Sequence, residues 1–265
     1  MNYLLLSTLS FFVGIIVGLT GIGGASLITP MLILCFQVPT SVAIGSDIVA
    51  ATLMKVVGGV RHWRQQTLDC EVVKWLALGS VPGSLTGVTL LRWLNLSERF
   101  NLDGVLLRLL GVAILGIALV SLLQLVVLTL WPQLKPPSLP KIELSTWQGK
   151  LQSILVGAFL GCIVGLTSVA SGSMFALVLI AFFQLDARKL VGTDLAQAAI
   201  LLGFTALGHL GLGTVDWHLV LPIWVGSVPG VLVGAKLCQL APQKTLRFGI
   251  YLLLTMVSWK LIDPL

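Results

Sequence analysis

An all-α polytopic membrane protein built from two inverted repeats is the fold class this 265-residue chain predicts. Three observations carry that reading. Hydrophobic residues make up 57% of the chain and charged residues only 10%, against roughly 25% charged in an average soluble domain. Apolar runs of membrane-segment character recur along the whole chain, judged against the ~20 residues a helix needs to span a bilayer. The two halves also repeat one another in a single register. So few charges cannot cover a soluble globule, which excludes a soluble enzyme, a disordered tail and a nucleic-acid-binding module. The balance of 16 Lys and Arg against 10 Asp and Glu fits basic loops on one membrane face rather than a nucleic-acid footprint.

The first half holds apolar runs at about 3–19, 27–36, 41–60, 72–94 and 104–131. Residues 3–19 lead into Thr20-Gly21-Ile22-Gly23-Gly24-Ala25-Ser26 rather than a small-residue cleavage site, so no cleavable signal peptide is expected. The second run, Leu27–Phe36, is about half a bilayer long. Runs one and two therefore read as a hairpin whose Gly-rich bend lies inside the membrane, which is tolerated only where protein or a wet cavity surrounds it. A polar, Pro-rich connector follows Trp131. The expected organisation is a first repeat over 1–131, a cytoplasmic linker over 132–146 and a second repeat over 147–265, with runs at about 150–166, 174–183, 190–208, 217–238 and 246–262.

The repeat is read from five motif pairs that share one offset of 147 positions. Gly18-Leu19-Thr20 matches Gly165-Leu166-Thr167, and Gly45-Ser46-Asp47 matches Gly192-Thr193-Asp194. His62 matches His209, Thr67-Leu68-Asp69 matches Thr214-Val215-Asp216, and Gly79-Ser80-Val81-Pro82-Gly83 matches Gly226-Ser227-Val228-Pro229-Gly230. Internal duplication of this kind is a transporter signature. Matching loops carry opposite charge bias: Arg61, Arg64 and Lys74 have no basic counterpart, and Arg188 and Lys189 have none in the other direction. Under the positive-inside rule this predicts inverted repeats, with both termini outside.

Two groups of residues are candidates for chemistry. The first is the pair of bends, from which Thr20, Gly21, Gly23, Gly24 and Ser26 in the first half, and Thr167, Ser168, Ser171, Gly172 and Ser173 in the second, are expected to bind substrate. Each precedes a short helix with unpartnered N–H groups and a positive dipole end, an arrangement that suits a small anion without a cationic side chain. The alternative is a tight helix crossing that needs small residues. The second group is Asp47 and Asp194, carboxyls placed inside apolar segments and expected to bind or relay protons, or else to cap or tether the bends. Lys55, two turns beyond Asp47, is expected to neutralise Asp47, attract an anion or snorkel to the interface. Gln197, one turn after Asp194, is expected to contact substrate or hydrogen-bond a neighbouring helix.

The remaining features read as structural. His62 and His209 sit at loop entries and are expected to be solvated. Gly79, Gly83 and Gly87, with Gly226, Gly230 and Gly234, form helix-packing seams. Cys35, Cys70, Cys162 and Cys238 lack metal-ligand or CxxC spacing and are expected to be free and mostly buried. No metal or cofactor is expected. The partners expected are a small anionic substrate and the lipid bilayer, and no nucleic acid.

The chain resembles the TauE/SafE family of membrane transporters, the sulfite exporter family. The resemblance rests on GLTGIGGASLITPML at the first bend, the Gly45-Ser46-Asp47 segment, and the echoes GLTSVASGSM and Gly192-Thr193-Asp194, and it covers nearly the whole chain. The second bend departs from the pattern, being poorer in glycine. The resemblance implies secondary transport of sulfite, an organosulfonate or a related sulfur oxyanion across a bacterial cytoplasmic membrane, often outward. An anion channel is the nearer rival. An intramembrane aspartyl protease is the more distant one, since neither aspartate stands in a GxGD motif.

Overall fold

The computed structural model describes residues 2–20, 25–96, 102–130, 142–183, 185, 187–237 and 243–262. Within them the chain forms α1 (Tyr3–Thr20), α2 (Ala25–Phe36), α3 (Thr40–Arg64), α4 (Cys70–Leu96), α5 (Leu102–Leu130), α6 (Trp147–Thr167), α7 (Ser173–Val178), α8 (Ala187–Leu212), α9 (Trp217–Leu237) and α10 (Gln243–Ile262). A 3-10 turn, Val169–Ser171, precedes α7, and a π turn, Leu179–Phe183, continues it. No strand occurs among the described residues. Each apolar run expected from the sequence is a helix, displaced by a few residues at most.

Five of these helices are long and apolar enough to cross a membrane, running Thr40–Arg64, Asp103–Val127, Trp147–Thr167, Lys189–Leu212 and Trp217–Gly234. Large apolar side chains such as Leu4, Trp63, Leu123, Phe159, Val225 and Met256 are exposed on the outer faces. Water would penalise that surface by roughly 25 cal/mol per Å², whereas lipid tails do not. One expectation about the cysteines is corrected. Cys35, Cys70 and Cys162 are free, but Cys35 and Cys70 are exposed rather than buried. Cys238 lies outside the described residues.

The helices pair across the two halves. The most extensive interfaces are α4 on α6 and α1 on α9, followed by α3 on α8 and α5 on α10. Under the 147-residue offset α4 corresponds to α9 and α6 to α1, so the first two interfaces are one interface made twice. The other two join corresponding helices to each other. Each half thus sends its fourth helix to pack on the first helix of the other half.

Glycine allows that approach. On the α4–α6 contact, a Cβ at Gly87 would lie 2.6 Å from the carbonyl oxygen of Cys162, and Gly79 and Gly83 press as closely on the carbonyls of Ile154 and Ala158. In return Gly161 and Gly165 of α6 meet the carbonyls of Ser80 and Ser84. On α1–α9, Gly226 and Gly230 meet the carbonyls of Ser7 and Phe11, and Gly14 meets that of Ser227. Lipid tails are as apolar as leucine, so close van der Waals packing holds these helices together, and small residues permit it. The seams read from the sequence are therefore packing seams.

The loops repeat the same reciprocity. The Ser46 hydroxyl oxygen accepts from the Asp216 backbone N–H at 3.0 Å, and the Thr193 hydroxyl oxygen accepts from the Asp69 N–H at 3.0 Å. His62 Nδ1 lies 2.8 Å from Thr67 Oγ1, and His209 Nδ1 lies 2.9 Å from Thr214 Oγ1. Each loop is thereby fastened to the start of the other half's third helix.

Candidate functional site at the second bend

The second hairpin is broken in a specific way. α6 ends at Thr167, and Ser168 follows with φ 63° and ψ −26°, a left-handed conformation. Glycine adopts it freely, while other L-residues bear about 1 kcal/mol or more. The position corresponds to Gly21 in the first half, so the second half keeps a side chain where the first has none. That side chain has a partner: the Ser168 hydroxyl donates to Asp47 Oδ2 at 3.0 Å. Thr29 of α2 donates to the same oxygen at 2.6 Å. Asp47 is fully buried, and its Oδ1 has no hydrogen-bond partner. This carboxyl joins α2, α3 and the second bend, with no cation in contact among the described residues. The 3-10 turn packs against α2, the helix that follows the first bend, and Val169 and Leu27 share one apolar cluster.

Asp194 sits in a different environment. Its Oδ2 accepts from Lys55 Nζ at 3.3 Å, and its Oδ1 is unpartnered. Lys55 therefore neutralises Asp194 across the α3–α8 contact, not Asp47, its neighbour in sequence. Eight residues of helix turn Lys55 about 80° away from Asp47, and that rotation aims it at α8. Gln197, one turn on, is fully buried and donates from Nε2 to Ser80 Oγ of α4 at 2.9 Å, leaving Oε1 unpartnered.

The other expected site residues divide into three sets. Gly21, Gly23 and Gly24 lie outside the described residues. Thr20 ends α1 and Ser173 opens α7. Ser26, Thr167 and Ser171 are buried, and the Thr167 hydroxyl donates back to the Ile163 carbonyl at 2.8 Å. Gly172 precedes α7, and no side chain caps either the 3-10 turn or α7. Gly172, the residue before α7, thus offers its first N–H groups no capping side chain. The hydroxyls of Thr167 and Ser168 are committed to protein oxygens.

His209 corrects a second expectation. It is fully buried rather than solvated. Its Nε2 lies 3.1 Å from the Gly165 carbonyl oxygen. A carbonyl only accepts, so Nε2 carries the proton in this contact. The ring ties the end of α8 to the last turn of α6, one turn before the bend. Sequence reasoning also missed Thr29. It appeared only as part of an apolar run, and nothing in its spacing pointed to Asp47. Among the described residues no group of His, Cys, Asp and Glu could hold a metal ion.

The partners of the two aspartates are unlike those of a protease dyad, whose carboxyls share one proton: Asp47 is held by hydroxyls and Asp194 by an ammonium. Comparison with known proteins points the same way. The profile of the sulfite exporter TauE/SafE family matches residues 6–261. The chain belongs to this family. It is a membrane transporter rather than an enzyme, a multi-pass protein of a bacterial cell membrane. Among similar sequences, the probable membrane transporter protein YjnA of Bacillus subtilis is 35% identical over 254 residues, covering 96% of this chain and 97% of YjnA. The probable membrane transporter protein YdhB of the same organism is 25% identical, covering 94% of this chain and 96% of YdhB. No solved structure matches significantly. Within this TauE/SafE chain, the broken second hairpin lies beside a buried carboxyl.

Proposed function

We propose that this TauE/SafE protein is a secondary transporter, an exporter of a small sulfur-containing anion such as sulfite or an organosulfonate, working by alternating access with a proton linkage. The observation that carries the reading is the second bend: a helix interrupted inside the protein, with uncapped N–H groups at the start of α7, beside the cation-free carboxyl of Asp47. Backbone N–H groups of the two bends, with Gln197, would bind the anion. This fits the commitment of the Thr167 and Ser168 hydroxyls elsewhere. Reciprocal packing of the halves supports inverted repeats that rock against one another, since a structure made twice can exchange the conformations of its two copies. The charge bias of matching loops supports the inversion.

The test is flux in proteoliposomes. Sulfite, sulfoacetate, taurine, thiosulfate and sulfate are offered in turn, with and without a pH gradient. The expected result is saturable flux of at least one sulfur oxyanion, accelerated by the gradient. No flux of any of them overturns the substrate class, and unsaturable, channel-like conductance overturns the transporter mechanism in favour of an anion channel.

A further inference from the structure

The two aspartates occupy corresponding positions but keep different company, and the difference is written in the residues around them. The hydroxyls on Asp47 come from Thr29 and Ser168. The corresponding positions around Asp194 are Ala176 and Gly21, which carry no hydroxyl. The cation on Asp194 is Lys55, and the corresponding position beside Asp47 is Leu202. One carboxyl is met by two hydroxyls and the other by a cation.

We propose that Asp47 alone takes up and releases the transported proton, while Asp194 remains ionised against Lys55 as a fixed strut between α3 and α8. This rests on the proton-linked transport reading above and assigns that linkage to one residue. Both hydroxyls donate to Oδ2 and none reaches Oδ1. A neutral carboxylic acid has that shape: a carbonyl oxygen accepting twice and a second oxygen free to carry the proton. A buried carboxylate without a cation beside it is costly to ionise, whereas Asp194, whose Oδ1 is likewise unpartnered, has the Lys55 ammonium to offset its charge.

Among the described contacts no charged side chain offsets Asp47. α2, the 3-10 turn and α7 contain no Asp, Glu, Lys, Arg or His. On α3 itself Lys55 is bound to Asp194, and Arg61, His62 and Arg64 lie at its far end. α5 brings Asp103, which accepts from the Ser41 N–H, and Arg108. α6 brings Lys150, α8 brings Arg188, Lys189 and His209, and α9 brings His218 and Lys236. Among the described contacts none of these is bonded to Asp47.

Loss of the proton puts a full charge on the oxygens that hold Ser168, and a hydrogen bond to an ionised acceptor is roughly twice as strong as a neutral one. The proton thereby acts on the left-handed residue that shapes the second bend.

Infrared spectroscopy of reconstituted protein with isotope-labelled aspartate tests this without any transported substrate. The expected result is a carboxylic acid band that disappears as pH rises. That band is absent in Asp47→Asn, retained in the paired Lys55→Leu, Asp194→Asn variant, and shifted by Thr29→Val, which covers the case in which Asp47→Asn does not fold. In proteoliposomes Asp47→Asn is expected to lose flux driven by a pH gradient by about tenfold, the scale of a modest coupling free energy. A band that survives Asp47→Asn, a band that Thr29→Val leaves in place, or a sodium gradient that replaces the pH gradient in an Asp47-dependent way would overturn the assignment. If the wild type moves no sulfur anion, the transport reading falls on its own, and the infrared band still decides the protonation of Asp47.

Discussion

Asp47 and Asp194 are the same position in two copies of one unit, yet the structure treats them oppositely. Around Asp47 the neighbours are hydroxyls and a strained bend. Around Asp194 they are an ammonium and, one turn away, an amide bonded to Ser80. The seams and loop fastenings, by contrast, are made alike in both copies. The contacts that hold the helices together are alike in the two halves, and the residues around the two buried carboxyls differ. Symmetry therefore marks scaffold in this molecule, and broken symmetry marks the places where function is to be sought.

The sharpest way to break the comparison is to remove the cation. Lys55→Leu installs the residue found at the matching position and strands the buried Asp194 carboxylate. The expected loss is about 3–5 kcal/mol, read as thermal unfolding in detergent, and adding Asp194→Asn should recover most of it. An unchanged midpoint in the single variant would mean that the ion pair holds nothing.

Next in size is the scaffold. Gly79→Leu on α4 and Gly226→Leu on α9 each drive a side chain into a facing backbone carbonyl. Each should cost about 3 kcal/mol, and by similar amounts, because the two seams are one interface made twice. A large effect in one and none in the other would contradict the reciprocal packing.

Smaller effects test the bend and the polar pairs. Ser168→Ala keeps the left-handed strain but loses the hydroxyl, at an expected cost of about 1–2 kcal/mol. Ser168→Gly loses the same hydroxyl but relieves the strain, and should be close to neutral. Both are read from thermal unfolding. Smallest of all is the contrast between Ser80 and Ser227. Ser80 accepts from Gln197, whereas the buried Ser227 hydroxyl has no partner because Ala50 stands where Gln197 stands in the other half. Ser80→Ala should cost about 1 kcal/mol and Ser227→Ala nothing. Equal losses would show that the amide does not distinguish the halves.

Much of this scaffold was legible before any coordinates. Length and apolarity placed the helices, and glycine at successive turns marked the seams, since only close backbone approach demands that spacing. The fixed offset paired the motifs. What spacing along one chain does not encode is which helix meets which. Nothing local says that α4 packs on α8 of the other half, so the bond from Gln197 to Ser80 was out of reach. Lys55 was read beside Asp47 because both lie on α3, but the helical turn between them directs it to α8. Thr29 was hidden in an apolar run because a hydroxyl facing a carboxyl looks, in sequence, like one facing its own backbone. His209 was placed in solvent from its loop-like neighbours, while the Gly165 carbonyl that buries it lies 44 residues away in the chain.

The most direct test of the account is to record anion and proton movement together in proteoliposomes containing the wild-type protein and a sulfite gradient. The account predicts saturable sulfite flux accompanied by proton movement in fixed proportion, with the proportion lost in Asp47→Asn. Sulfite flux with no accompanying proton movement, or proton coupling that Asp47→Asn leaves intact, would contradict it.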